Sequence, residues 1–211
     1  AKQGVVRAAR LPAGTTAELT FEFEIRRSRI LPTDITDDLV SPTRLPRTMK
    51  MFTGNSPMID TSNGQIKKLH RELEANRSAT DWDYIEQIYD HVRDHVEYVE
   101  GPIRRASDAL KTGTGDCEDM TSLFIALCRN ARIASRMVWV PGHCYPEFYL
   151  EDPDGNGFWF PCQVAGTRQF GRMDDYRPVL QKGDQFKLPE SRTRVRYIAE
   201  FFRCDVRGKG K

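Results

Sequence analysis

Cysteine is sparse in this sequence: 5 in 211 residues, at positions 117, 128, 144, 162 and 204, an odd number with no Cys-x-x-Cys pair. That usage excludes a disulfide scaffold and a thiolate zinc knuckle. A surplus of one charge is also missing. Lysine and arginine total 32 against 30 acidic residues, a net charge of +2, so nothing in the balance points to a nucleic-acid partner. No apolar run approaches the roughly 20 residues that a membrane-spanning helix needs. Internal repeats and low-complexity tracts are absent. No signal peptide is visible, and compartment and oligomeric state are left open. The one basic concentration, Arg192, Arg194 and Arg196 followed by Arg207, Lys209 and Lys211, reads as a strand's outer face and a frayed tail.

What remains is a chain long enough for one sizeable core. Residues 18 to 27 alternate, with Leu19, Phe21, Phe23 and Ile25 on one side, which predicts a half-buried strand. Pro32, Pro42, Pro46 and Pro57 punctuate an irregular arm. Ile66, Leu69 and Leu73 mark a helix. A stronger one is predicted from Asp81 to about Tyr98, capped by Thr80 or Asp81. Strands are expected near 134–140, 143–150 and 158–164, the last two joined by a turn-rich Asp152–Gly157 connector that predicts a hairpin. A final strand from about Val195 to Arg203 is placed to pair with the first. Helices followed by antiparallel strands give an α+β class. The expected organisation is an N-terminal strand and arm over 1–58, a core over 59–165, and an extension over 166–211.

Chemistry is concentrated in Gly113-Thr-Gly-Asp-Cys117. Two glycines and an aspartate lead into a cysteine, and Met120, Thr121, Phe124, Leu127 and Cys128 then recur at helical spacing. A thiol at a helix N-terminus meets free N–H groups and the positive end of the macrodipole, which favour thiolate, the reactive form. His143 follows Pro141-Gly142 and opens a strand, so a nucleophile and a base are both in hand. In that strand His143, Tyr145, Glu147 and Tyr149 share a face, and Cys144, Phe148 and Leu150 the other. The hairpin returns Gln163 beside His143, on the face expected to look toward the cysteine helix. Cys128, Cys144 and Cys162 are read as core, with a Cys144–Cys162 bond left open.

These residues resemble the transglutaminase-like superfamily of papain-type thiol enzymes. The resemblance is carried by Ala106-Ser-Asp-Ala-Leu-Lys-Thr-Gly-Thr-Gly-Asp-Cys117, the apolar helix after it, the His143 strand, and Trp159-Phe-Pro161 at the position of the family's closing strand. It covers roughly residues 59 to 165. It implies a nucleophile-bearing helix packed on an antiparallel sheet, and attack of Cys117 on an amide or peptide carbonyl to give a thioester. His143 is then the base and the backbone N–H of Cys117 the oxyanion donor. Val96-Glu-Tyr98 lies where many members carry an aromatic residue, so Tyr98 and Tyr145 are expected to line the substrate side. The family's usual aspartate is replaced by Gln163, whose carbonyl can still orient the imidazole. Two readings follow: a cysteine-dependent enzyme on protein or peptide substrates, hydrolysis favoured over crosslinking, or a degenerate polypeptide-binding domain of the same fold.

Metal sites have weaker support. His91 and His95 are spaced as half a zinc site, but no glutamate follows His91, so a solvated helix face is expected. Asp152-x-Asp154-x-Asn156-Gly157 imitates the start of a calcium loop, but its twelfth position is Gln163. No cofactor or metal is therefore called for.

Overall fold

Thr80, one of the two capping residues predicted from the sequence, starts its helix in a computed structural model of the chain. The structure describes residues 10–188, except 19, 21, 23, 27 and 32, together with residues 192–198. Contacts divide the chain into a unit of residues 1–26 and 201–211, of which part is described, and a unit of residues 27–200. In the former, the N–H and hydroxyl of Thr15 both donate to the Pro12 carbonyl. The latter holds every element named below. Leu19, Phe21 and Phe23 of the predicted first strand, and most of the predicted Val195–Arg203 strand, lie outside the described residues.

Helix α1 (Gly64–Ala75) begins where the Asn63 side chain accepts from the Gln65 N–H, and α2 (Asp81–His95) where Thr80 accepts from Asp83. Helix α2 ends three residues before the predicted Tyr98. Glu97–Tyr98 instead forms a short strand, β1, parallel to β2 (Thr114–Gly115). The N–H groups of Glu97 and Val99 there donate to Gly113 and Gly115, a pairing that competes with another helical turn. Between them lies α3 (Ala106–Thr112), which stops at Gly113 in a left-handed conformation (φ 66°). Helix α4 spans Cys117–Asn130.

Strands β3 (Ser135–Val140), β4 (His143–Glu151), β5 (Gly157–Gln163), β6 (Gln169–Phe170) and β7 (Gln181–Lys182) form an antiparallel sheet in the order β6-β5-β4-β3-β7. The predicted hairpin is β4–β5. The Asp152 carboxylate organises its loop by accepting from the N–H groups of Asp154 and Asn156. A separate pair joins β8 (Phe186–Lys187) to β9 (Arg194–Val195). No helix among the described residues is long and apolar enough to cross a membrane.

Helix α4 departs from the expectation of one apolar face. Every residue from Glu118 to Arg129 is buried, because α1, α2 and α3 pack on one side and β3 and β4 on the other. Its charged residues are therefore buried in pairs: Asp119 with Arg104 at 3.0 Å, Glu118 with Arg196 at 2.6 Å, and Arg129 with Asp184 at 2.7 Å. Arg129 also donates to the carbonyls of Gly54 and Ser135. Replacing it by methionine removes one partner of a buried pair and leaves the Asp184 charge without it. Urea unfolding of Arg129→Met is expected to show a loss of about 3–5 kcal/mol. Trp82 fixes α2 to the sheet through edge contacts with Phe148, Phe160 and Phe170, at centroid distances of 5.6, 5.1 and 5.1 Å.

Candidate active site

Cys117 is the first residue of α4, and the chain reaches it through a turn that only glycine permits. A Cβ on Gly115 would lie 2.7 Å from the Cβ of Asp119, so the strand passes beneath the first helical turn only without a side chain. Asp116 then caps the helix: its carboxylate accepts from the N–H groups of Glu118 and Asp119, both at 2.9 Å. The Cys117 N–H is the first-turn donor that this cap leaves unused.

His143 is the first residue of β4, after a Pro141–Gly142 turn in which Gly142 has φ 68°. Arg177 braces that turn, donating to the Pro141 carbonyl at 3.0 Å while paired with Asp175. The imidazole Nε2 lies 2.9 Å from Oε1 of Gln163. An amide oxygen only accepts, so Nε2 carries a proton and Nδ1 is the nitrogen left for the thiol. Gln163 closes β5, where its own carbonyl is held by the Tyr89 hydroxyl at 2.7 Å and Arg93 at 3.0 Å. Arg93 spans further to the carbonyls of Val164 and Gly166, each at 2.9 Å. Helix α2 thus fixes the strand end that orients the histidine.

The electrostatics favour a charged pair. The Cys117 thiol is lowered to about 4, first by a hydrogen bond from the Cys144 thiol; burial opposes this, and hydrogen bonds from His143 and from the Cys144 N–H add to it. Burial on its own depresses His143, but its hydrogen bonds to Cys117 and Gln163 and the charge on Cys117 outweigh burial, and the imidazole is raised above its ordinary value. Both shifts stabilise thiolate beside imidazolium.

Of the residues singled out in the sequence, Cys117, His143 and Gln163 come together. Tyr98, on β1 next to the strand that leads into Cys117, is 51% exposed. Tyr145 does not line the site. It is 1% exposed, packed with Val138, Val140 and Met173 on the sheet face away from α4. The expected face assignment is reversed for the same reason: Cys144, Phe148 and Leu150 pack in the core with α4. His143 approaches Cys117 because it is the terminal residue of its strand, not because its face looks toward the helix.

Cys128, Cys144 and Cys162 are buried free thiols. The rings of His91 and His95 stack 5.7 Å apart, with His95 Nε2 at 2.9 Å from the Leu110 carbonyl. Among the described residues, no group of three or more His, Cys, Asp or Glu side chains is placed to hold a metal ion.

Sequence reasoning missed several contributors. Cys144 has the sequence pattern of a core residue, and its position next to His143 is the one signal that it lies near the nucleophile. Tyr89 and Arg93 sit on α2, whose packing against the end of β5 has no local sequence mark. Arg177 and Asp175 come from an irregular segment 36 residues or so past the turn they brace. A cavity of about 370 Å³ lined by Ser28, Arg29, Asp174, Asp175 and Tyr176 lies along this segment.

Comparison with known proteins agrees with this architecture. Residues 67–164 match the family model described as the Transglutaminase-like superfamily. No curated protein sequence matches the chain. Among solved structures, a protein from Cytophaga hutchinsonii provisionally described as a cysteine protease superposes with a TM-score of 0.57 at 21% identity. The alignment covers 71% of this chain and 52% of that one, so the chain spans about half the length of that relative. A second, from Parabacteroides distasonis and provisionally described as a protease, gives a TM-score of 0.40 at 13% identity, covering 58% of this chain and 29% of its own. The first shares the mixed fold of helices and antiparallel sheet.

Proposed function

We propose that the transglutaminase-like segment, with the residues bracing it, works as a cysteine-dependent hydrolase of amide bonds in protein or peptide substrates. The observation that carries this reading is an imidazole whose Nε2 is held 2.9 Å from Gln163, leaving Nδ1 for a thiol at a helix start whose ionisation that imidazole favours.

In this reading the Cys117 thiolate attacks the substrate carbonyl carbon. The oxyanion that forms faces the Cys117 N–H at the positive end of α4. As the C–N bond breaks, His143 gives its proton to the departing amine and leaves a thioester on Cys117. Water, losing a proton to His143, then attacks the thioester carbon; the carboxylic acid leaves and the thiolate–imidazolium pair is restored. Hydrolysis is preferred to crosslinking because nothing among the described residues around the site selects an amine acceptor. The exposed Tyr98 is the wall against which substrate would lie.

Gln163 sustains orientation without charge. Gln163→Ala is expected to lower kcat about 10-fold to 100-fold with a small change in KM, because the imidazole loses its second hydrogen bond. Gln163→Asp is expected to keep or raise turnover, since a carboxylate also stabilises imidazolium. A second reading, a polypeptide-binding domain with lost chemistry, draws on the same neutral Gln163 and predicts no change in either variant. Incubation with a peptide library followed by acid quench and intact mass measurement separates them: a thioester adduct on Cys117 supports hydrolysis, and peptide binding with no adduct contradicts it.

A further inference from the structure

The hydrolytic cycle makes no use of the cavity of about 370 Å³ lined by Ser28, Arg29, Asp174, Asp175 and Tyr176. All five residues belong to the unit of residues 27–200, and its volume is that of a small-ligand cleft. Two sets of bonds fix its walls. Ile30 and Met173 exchange backbone hydrogen bonds at 3.4 and 3.1 Å, which pin the Ser28–Arg29 segment beside Asp174. On the other side Arg177 bonds both carboxylate oxygens of Asp175 and donates to the Pro141 carbonyl at 3.0 Å. One guanidinium therefore separates the cavity wall from the turn that ends at His143.

The cavity offers donors more than acceptors. Asp174 and Asp175 line it, but each is already paired with arginine. Asp174 accepts from Arg29 Nε at 2.7 Å and from Arg172 at 3.2 Å, while Arg177 holds Asp175. Among the described residues, three guanidinium groups thus meet two carboxylates, an excess of one positive charge. Arg29 uses only its Nε on Asp174. No group among the described residues accepts from its two terminal nitrogens, and its side chain is 67% exposed. Such a planar pair of N–H donors matches the two oxygens of a carboxylate. Tyr176, 87% exposed, adds a hydroxyl and an aromatic face. A lysine or arginine side chain entering here would meet like charge and no unpaired carboxylate.

We propose that this cavity is a substrate subsite for a carboxylate of the polypeptide, on an acidic side chain or at the chain end, held by the terminal nitrogens of Arg29. It rests on the hydrolase reading for the word substrate, although carboxylate binding requires no turnover and can be measured without it. Two residues and one guanidinium lie between His143 and the cavity wall. An extended chain advances about 3.3–3.6 Å per residue, so the carboxylate falls within about four residues of the bond that is cut. Arg29 touches no reacting atom. Its contribution is to binding, and it favours acidic substrates through KM more than kcat. Because the guanidinium is exposed, the preference is modest, about threefold to tenfold, and weakens with salt.

The first arm of the test is a library of peptides capped at both ends, with glutamate or glutamine fixed at each position in turn. Turnover by the parent is expected to favour glutamate at least threefold in kcat/KM at one position within four residues of the cut. In Arg29→Gln that ratio should fall to about one, and in Arg29→Glu below one. The same peptides with a free carboxyl end against an amide end tell whether the chain end supplies the carboxylate. The second arm needs no cleavage. Backbone amide shifts of the ¹⁵N-labelled chain are followed with acetyl-Ala-Ala-Glu-Ala-Ala-amide, its glutamine counterpart, and inorganic phosphate. Shifts at residues 28, 29 and 174–176 are expected with the glutamate peptide and not with the glutamine peptide, and are expected to vanish in Arg29→Gln. Should that variant fold poorly, the shift map of the parent decides alone. Cleavage with no acidic preference and no such shifts overturns the subsite and leaves the hydrolase standing. A preference that survives in Arg29→Gln, or equal shifts from phosphate at the same concentration, also overturns it. Glutamate-dependent shifts in a chain that cleaves no peptide uphold carboxylate binding and contradict the hydrolase.

Discussion

Cys117→Ser is expected to lower amide hydrolysis by on the order of 10⁴-fold or more while leaving the melting temperature nearly unchanged. Sulfur and oxygen fill similar space, and the half-buried position at the start of α4 tolerates the exchange. The chemistry does not. The donors around residue 117, namely the Cys144 thiol, the Cys144 N–H and His143, stabilise an anion that a serine hydroxyl does not form at neutral pH. Turnover measured on a substrate that acylates the parent, with a thermal melt of both proteins, checks the pair of expectations. Activity within tenfold of the parent would assign the chemistry to another group.

His143→Ala carries the second large effect. In the proposed cycle it removes the proton donor to the leaving amine and the base for deacylation, so kcat should fall about 10³-fold to 10⁴-fold with KM changing little. The nucleophile itself should be affected less than turnover. Cys144 as well as His143 lowers the Cys117 thiol, so residue 117 in this variant should still ionise below an ordinary cysteine, though above the parent. Alkylation rates across pH, measured beside turnover, separate the two consequences. Equal loss of alkylation and turnover would mean that His143 alone sustains the thiolate.

The elements that sequence reasoning located are those whose cause is local. Thr80 beside Asp81 announces a cap, Asp152 to Gly157 announces a turn, and the alternation from His143 to Leu150 announces a strand. Cys117 and His143 could be paired because each opens an element, and the hairpin carried Gln163 back to within 2.9 Å of the imidazole. What went wrong depends on what packs against what. Alternation along β4 divides its residues into two faces but does not say which face meets a helix. Tyr145 was therefore assigned to the substrate side, and it is buried against Val138 and Met173. The polar residues of α4 hid its central position, because Arg104, Asp184 and Arg196, their partners, come from distant segments. The end of α2 was overrun because the pairing of Glu97 and Tyr98 with Thr114 and Gly115 is a tertiary contact.

The claim on which the whole account depends is that Cys117 is an anion in the resting protein. The pH profile of its alkylation in the folded chain, read residue by residue by mass spectrometry, tests this most directly. The account predicts a rate that climbs through about pH 4 and then stays high, while buried Cys128, Cys144 and Cys162 remain unlabelled. A rate at Cys117 that climbs only toward the ordinary thiol value of 9.0 would contradict it.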